Sequence, residues 1–167
     1  MPETSYNLIG RYDYNLDDKG RVTMPAAFKE QLGTHFMLTM GADHHARIYP
    51  ESVWLALKEK LAAKDALDAF DKHRLHLLRL HNSCERISLD TTGTRITLPR
   101  WIQDWIDAQE KTPIIMIGND DYIEVWSNTG WKAYSAGYTH DNVDDARIVV
   151  ETGKLPDPKP PKEPQRT

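Results

Sequence analysis

Residues 16–25 read Leu-Asp-Asp-Lys-Gly-Arg-Val-Thr-Met-Pro, and residues 89–99 read Leu-Asp-Thr-Thr-Gly-Thr-Arg-Ile-Thr-Leu-Pro. Both stretches contain Leu-Asp, two polar residues and Gly, followed by Arg-aliphatic-Thr-aliphatic-Pro. The second stretch has one additional residue, Thr94, between its glycine and its arginine. Self-similarity of this kind is typical of an internal duplication. We therefore predict two copies of one structural module.

The similarity continues past the two prolines. Each copy next has a short helical pattern (residues 26–32 and 100–108), then an apolar strand that leads to a glycine, and then a strand that ends in an aromatic residue. The interval from that glycine to a later tryptophan is the same in both copies. The corresponding pairs are Gly41 and Gly118, Tyr49 and Trp126, and Trp54 and Trp131. Agreement at this many positions, in the same order, favours duplication over coincidence.

The Asp-x-x-Gly segment of each copy is typical of a turn between two strands. Asp accepts hydrogen bonds from nearby backbone N–H groups, and Gly tolerates a positive φ. Asp17 and Gly20 are therefore predicted to form the first loop, and Asp90 and Gly93 the second. We expect the additional Thr94 to lengthen the second loop without turning the following strand over.

The residues after each loop alternate polar and apolar side chains, as a half-buried strand does. In the first copy, Val22 is predicted to face the core and Arg21 to face outward. Residues 95–98 alternate in the same way. The proline that follows each strand suits the start of a helix, because the first helical position does not need its N–H group.

Two helices are predicted between the copies. Residues 50–61 place Val53, Trp54 and Leu57 on one face, and residues 65–80 carry a second apolar stripe. After the second copy, residues 146–150 have the pattern of a last short strand. The end of the chain, residues 153–167, contains five of the ten prolines and is predicted to be a disordered tail.

Composition and charge narrow the class of protein. The chain has 167 residues, of which 40% are hydrophobic and 28% charged, a balance typical of a soluble globular protein. No apolar run approaches the roughly 18 residues of a membrane helix, and the first residues lack an export signal. We therefore expect a cytoplasmic protein without a membrane partner. The net charge of −4 argues against nucleic-acid binding unless the basic groups converge on one face.

Metal binding and catalysis find little support in the sequence. The histidines cluster as His44 with His45, and as His73, His76 and His81, but neither set matches a metal-binding motif. Cys84 is the only cysteine, which excludes an internal disulfide and a cysteine-based zinc site. No nucleophile elbow or phosphate-binding glycine loop is present. We expect no enzymatic activity, no metal and no cofactor.

Residues 9–21, Ile-Gly-Arg-Tyr-Asp-Tyr-Asn-Leu-Asp-Asp-Lys-Gly-Arg, closely resemble the opening of MraZ proteins. These proteins carry a tandem pair of AbrB-like (SpoVT-AbrB) modules, each marked by an Asp-x-x-x-Arg motif. Asp17 to Arg21 fits that motif fully, and the resemblance extends over about residues 7–135. The second copy departs from it, because Asp90 to Arg95 is one residue longer and threonines replace the usual basic residue of the turn.

The resemblance implies an α+β fold in which the two modules form a double-split β-barrel with connecting helices. The first module spans residues 7–61, a connecting helix residues 62–82 and the second module residues 83–135. An extension without assigned structure (136–152) and the tail (153–167) follow. The resemblance also implies a nucleoid-associated transcriptional regulator of the division and cell-wall gene cluster, which binds direct repeats in double-stranded promoter DNA as a homo-oligomeric ring.

On this reading, Lys19, Arg21 and Arg95 are the expected DNA contacts, with Arg11 and Lys29 as secondary phosphate contacts. Arginine offers a planar fork that fits phosphate or the edge of guanine, whereas lysine suits phosphate. The simpler interpretation is that Asp17 and Arg21 merely form a surface ion pair across a turn. Since the charges of the first loop cancel, one subunit should bind weakly, and linked subunits would gain affinity from effective concentration.

Two other functions remain open from the sequence. One is an antitoxin-like regulator whose tail would bind a toxin, although this tail has few apolar residues to grip a partner. The other is a ring-forming structural protein that has lost DNA binding, which the acidic balance and the altered second loop favour.

Overall fold

The computed structural model describes residues 5–62, 72, 79, 82–138 and 140–154. Eight strands and five helices begin and end within these residues. The chain divides into two compact units, Met1–Lys132 and Ala133–Thr167. The strands are β1 (Arg11–Asn15), β2 (Arg21–Thr23), β3 (His35–Met40), β4 (Ala46–Pro50), β5 (Cys84–Ser88), β6 (Arg95–Thr97), β7 (Pro113–Gly118) and β8 (Ile123–Ser127). The helices are α1 (Ala26–Leu32), α2 (Glu51–Ala62), α3 (Arg100–Trp105), α4 (Asn128–Ser135) and α5 (His140–Thr152).

All strand pairs are antiparallel, and they show how the two copies combine. Six strands form one sheet in the order β1-β7-β8-β4-β3-β5, and β2 and β6 form a second, two-stranded sheet. The first strand of each module pairs with the third strand of the other module, β1 with β7 and β5 with β3. The second strands pair with each other, as do the fourth strands. The fold is therefore mixed α+β, with the two modules interlocked by exchange of their first strands.

The register of the two symmetric pairs shows that the duplication is preserved in three dimensions. Val22 pairs with Ile96, its own counterpart in the repeat, and Arg47 pairs with Glu124, its counterpart in the later strand. A local twofold relation between the modules requires equivalent residues to face each other at its axis. Both sheets meet that condition.

One detail of the sequence alignment is corrected by the register. Met40 pairs with Ala46 across the first hairpin, whereas Gly118 pairs with Ile123 across the second. Gly118 therefore corresponds to Met40 rather than to Gly41, since the turn of the first hairpin is one residue longer.

The core lies between the sheets and helices of the first unit and draws on both modules. Val22 and Met24 are each 1% exposed, whereas Arg21 lies at the partly exposed surface, which confirms the predicted alternation. The fully buried core side chains include Phe28, Phe36, Leu38, Ile48, Ile96, Ile102, Ile114, Met116, Ile123 and Val125. Burial of each such side chain contributes about 1.5–3 kcal/mol, so the shared core holds the two modules together.

The helices of the first unit largely follow the sequence pattern. α1 spans the predicted residues, and Pro25 precedes it with the extended backbone of a cap position. α3 ends at Trp105 rather than at residue 108, because Asp107 takes a positive φ of 55°. α2 begins at Glu51, since Pro50 is the last residue of β4. The helix predicted over residues 65–80 lies almost wholly outside the described residues.

The prediction of a strand over residues 146–150 is wrong, because these residues belong to α5. The β-branched run at 148–150 suggested a strand. In the helix, however, Arg147 lies 3.7 Å from Glu151 one turn later, and Gly153 closes the end with a φ of 67°. Residues 155–167, where a disordered tail is predicted, lie outside the described residues. In the part of the chain that is described, no helix is long and apolar enough to cross a membrane.

Candidate nucleic-acid interface

The two-stranded sheet brings the loops of both modules to one surface. Arg21 pairs with Thr97, and Thr23 pairs with Arg95. Paired residues of an antiparallel sheet point to the same face, so these four side chains lie opposite the buried Val22 and Ile96. We call this surface, made of Arg21, Thr23, Arg95 and Thr97, the arginine face. Its two arginines come from corresponding positions of the two modules.

The first loop is closed by the carboxylate of Asp17. Its Oδ1 accepts hydrogen bonds from the backbone amides of Lys19 (2.9 Å) and Arg21 (2.8 Å), and its Oδ2 accepts one from Arg21 Nε (2.7 Å). Gly20 takes a φ of 73°, which an L side chain adopts only with strain. The loop thus has the turn chemistry that the sequence predicts, and the aspartate fixes both the loop backbone and the guanidinium.

The second loop reproduces this arrangement in spite of its additional residue. Asp90 Oδ1 accepts from the amides of Thr94 (3.0 Å) and Arg95 (3.2 Å), and Asp90 Oδ2 accepts from Arg95 Nε (3.1 Å). The Thr92 hydroxyl donates to Asp90 as well, and Gly93 has a φ of 70°. Ile96 is buried like Val22. The prediction that Thr94 lengthens the turn without turning the strand over is therefore confirmed.

The loops are connected to each other. The Leu98 amide donates to Gly20 O (2.8 Å), and the Met24 amide donates to Thr94 O (2.9 Å). In addition, Arg95 Nη1 lies 3.7 Å from Asp17 Oδ2. Asp17 therefore contacts the arginines of both modules.

Hydrogen bonding keeps both loop aspartates ionised. In Asp90, the amide of Thr94 and the hydroxyl of Thr92 hold the pKa far below its usual value of 3.8. Partial burial raises the pKa of Asp17, but hydrogen bonds from the amide and guanidinium of Arg21 outweigh it and lower the pKa overall. With two carboxylates beside two guanidiniums, the arginine face carries little net charge. The face therefore presents two arginines in fixed orientations and not a high positive charge.

The remaining predicted contacts lie at different distances from this face. Lys19 is exposed in the first loop. Lys29, on α1, donates from Nζ to Gly93 O at 3.0 Å. Arg11 begins β1, at the end away from the loop, where it contacts Asp13 (3.4 Å) and lies over the Trp131 ring (5.7 Å). The structure thus gathers Lys19, Arg21, Arg95 and Lys29, and leaves Arg11 apart.

Sequence reasoning did not identify Gln103 as part of this region. Its Nε2 donates to Leu98 O (2.7 Å), and its side-chain amide occupies the space where Gly20 would carry a Cβ. Gln103 follows Pro99 by four residues, as Lys29 follows Pro25. That equivalence in the repeat was the available signal.

Two adjacent histidines of the described residues serve packing. His44 and His45 lie in the predicted turn between β3 and β4, where His44 packs against Trp105 and His45 stacks on Trp126 with ring centroids 4.6 Å apart. Within the described ranges no group of three or more His, Cys, Asp or Glu side chains is arranged to hold a metal ion. His73, His76 and His81 lie outside those ranges. Cys84 is half-buried on β5, and burial raises the pKa of its thiol.

Comparison with known proteins gives one consistent result. The family model described as "MraZ protein, putative antitoxin-like" matches residues 8–76. A protein of Corynebacterium jeikeium (strain K411) is 34% identical over 144 residues, covering 86% of this chain and 97% of its own length. One of Alkaliphilus oremlandii (strain OhILAs) is 35% identical over 148 residues, covering 88% and 97%. One of Clostridium tetani (strain Massachusetts / E88) is 32% identical over 148 residues, covering 88% and 97%. All three are named "Transcriptional regulator MraZ".

Proposed function

This chain belongs to the MraZ family, and from that premise we propose that it is a transcriptional regulator that binds double-stranded promoter DNA through its arginine face. The carrying observation is the placement of Arg21 and Arg95 side by side on one partly exposed surface. Each arginine comes from the corresponding loop of one module. Lys19 stands beside them on the first loop.

The hydrogen bonding of these arginines suits DNA recognition. Each is held by an aspartate through Nε, which leaves terminal guanidinium nitrogens for other acceptors, although Nη1 of Arg95 also lies 3.7 Å from Asp17 Oδ2. Such terminal nitrogens can bind phosphate, or the O6 and N7 of guanine in the major groove. An arginine that is already oriented loses less conformational entropy when it binds. The aspartates therefore support recognition, although they reduce the electrostatic attraction.

The low charge of the face makes oligomerisation part of the proposal. Asp17 and Asp18 balance Lys19 and Arg21, and Asp90 balances Arg95, so one subunit gains little from long-range attraction to DNA. Several subunits in one homo-oligomeric ring would instead contact successive direct repeats and gain affinity through effective concentration. We propose this ring, a double-split barrel architecture for the interlocked modules, and nucleoid association, with the division and cell-wall genes as the regulated cluster.

Fluorescence anisotropy of purified protein on a labelled duplex from upstream of its own gene tests the proposal. The log of the binding constant should fall with the log of salt concentration, with a slope of about −0.9 per phosphate neutralised. Arg21→Ala should abolish specific binding, and Arg95→Ala should weaken it. Arg86→Ala is the matched control, because it also removes one arginine that is paired with a carboxylate, that of Glu51, and it should bind like the wild type.

The acidic balance of the chain supports one alternative, a ring-forming structural protein without DNA binding. Sedimentation in the same buffer separates the two functions. An oligomer that does not bind any tested duplex at low salt would contradict the regulator and favour the structural protein. Tight, sequence-specific binding that Arg21→Ala removes would exclude the structural alternative.

A further inference from the structure

We propose that Lys29, in the first module, is a positioning residue that holds the second loop in place, and that Gln103, in the second module, holds the first loop in the corresponding way. We call these two contacts the braces. The inference rests on the proposed DNA binding for its functional consequence. The two contacts themselves lie within the free protein and do not depend on DNA. Lys29 thereby takes a role different from the phosphate contact that its position in the sequence suggests.

The contact of Lys29 crosses the boundary between the modules. Its ammonium donates to the carbonyl of Gly93 at 3.0 Å, and the side chain is partly buried. Gly93 is the turn residue of the second loop, with a φ of 70°, and no atom beyond its chain neighbours lies within 4 Å of the place where its Cβ would be. Its amide donates to Asp90 O within the loop (2.8 Å), and the hydrogen bond from Lys29 holds its carbonyl from the other module.

Gln103 meets the first loop differently. Its side-chain amide lies directly against Gly20, and its Nε2 donates to Leu98 O. The Leu98 amide in turn donates to Gly20 O. The loop of the first module is thus held by a side chain of the second module, as the loop of the second module is held by Lys29 of the first.

The difference between the two braces follows the difference between the two loops. The first loop is the shorter, and the amide of Gln103 fills the space beside its glycine. The second loop contains the additional Thr94 and leaves open space beside Gly93, and the longer side chain of Lys29 reaches the carbonyl of that glycine instead. A lysine and a glutamine at equivalent positions of the repeat therefore match loops of different length.

Hydrogen exchange on the free protein tests the braces, and DNA binding tests their consequence. Lys29→Met keeps the aliphatic stem and removes the ammonium. It should speed exchange of the Gly93, Thr94 and Arg95 amides by roughly three- to tenfold, as expected for loss of one hydrogen bond. Gln103→Leu should have the same effect on the Lys19, Gly20 and Arg21 amides instead. Lys29→Arg, which keeps a long cationic donor, should restore protection.

The salt series distinguishes positioning from phosphate contact. As a positioning residue, Lys29→Met should weaken DNA binding at every salt concentration and leave the log–log slope unchanged. If Lys29 binds a phosphate, the slope should instead become shallower by about 0.9. That result, with unaltered amide exchange, would overturn the inference, as would a variant in which neither exchange nor affinity changes.

The test gives a clear result even if the first variant does not fold or the wild type does not bind DNA. If Lys29→Met does not fold, Lys29→Gln offers a polar side chain that is too short to reach Gly93, and the same readouts apply. If the wild type binds no duplex, the proposed function fails and with it the consequence for DNA binding. The exchange rates of the free protein would still confirm or refute the braces themselves.

Discussion

The carboxylate of Asp17 contacts the guanidinium of Arg95, which belongs to the other module, with 3.7 Å between Oδ2 and Nη1. The same oxygen accepts a hydrogen bond from Arg21 Nε at 2.7 Å. Asp90 has no such second arginine among the ion pairs of the described residues. The two loops are therefore similar in hydrogen bonding but unequal in their connections, and Asp17 is the acceptor that links both arginines.

Asp17→Asn tests this link. The substitution removes the negative charge between the two arginines, so nonspecific attraction to DNA should increase. Specific binding should weaken, because Arg21 loses its charged acceptor and Arg95 is left with Asp90 alone. The free energy of unfolding should fall by about 1 kcal/mol, given that the charged hydrogen bonds are partly exposed. Anisotropy on the operator and on a scrambled duplex measures the ratio of the two affinities, and a ratio that rises or stays constant would contradict the linking role.

Acid stability should depend on the loop aspartates. The pKa values of Asp17 and Asp90 are both lowered in the folded protein, to different extents. Their stabilisation is therefore complete above the unfolded-state value of 3.8 and is lost as the pH falls towards the folded-state value. The free energy of unfolding, measured with urea between about pH 6 and pH 2, should change less with pH for Asp90→Asn than for the wild type. Asp104→Asn, which removes an exposed carboxylate of α3 that pairs with Arg100, is the matched control for the loss of one carboxylate.

The two loop glycines should differ in their tolerance of alanine. Gly93→Ala meets only the strain of a positive φ, which costs about 1–2 kcal/mol, because the space beside it is open. Gly20→Ala meets the same strain and also displaces the amide of Gln103 from Leu98 O, which adds about 0.5–1.5 kcal/mol. Chemical denaturation of both variants measures the difference. Equal losses would show that Gln103 moves aside at no cost.

His45 should make the stability depend on pH near neutrality. It is 3% exposed, its Nε2 accepts from Arg47 Nε (3.0 Å), and its Nδ1 has no hydrogen-bond partner in the described structure. Burial lowers its pKa, with Arg47 acting in the same direction and Glu124 and Asp43 opposing. The unfolded chain therefore takes up the proton first, and stability is lost as the pH falls below 6.5.

The variant His45→Phe keeps an aromatic ring against Trp126 and removes this titration. Thermal unfolding between about pH 7.5 and pH 5 should show a smaller decrease for His45→Phe than for the wild type. His35→Gln, which removes an exposed histidine, is the control. If both variants and the wild type lose stability in parallel, the titration of His45 does not contribute.

The contacts near in sequence were predictable. The Asp-x-x-Gly loops, the outward Arg21 and the helix at residues 26–32 depend on hydrogen bonds and side-chain alternation among residues close together in the chain. The effect of Thr94 was predicted correctly for the same reason, since an additional residue in the turn leaves the alternation of side chains in the following strand unchanged. The prediction of a strand at residues 146–150 was wrong. It rested on three β-branched residues, whereas in the helix Arg147 pairs with Glu151 one turn later.

The sequence by itself determined the duplication, the turn at each Asp-x-x-Gly and the face on which each arginine lies, because local geometry dictates these features. Only the tertiary structure decided that β1 pairs with β7 and β5 with β3, that Asp17 reaches Arg95, and that Lys29 holds Gly93. These contacts join residues far apart in the chain. They depend on which strands must pair to bury the apolar faces of both modules in one core, and no short stretch of sequence specifies that choice.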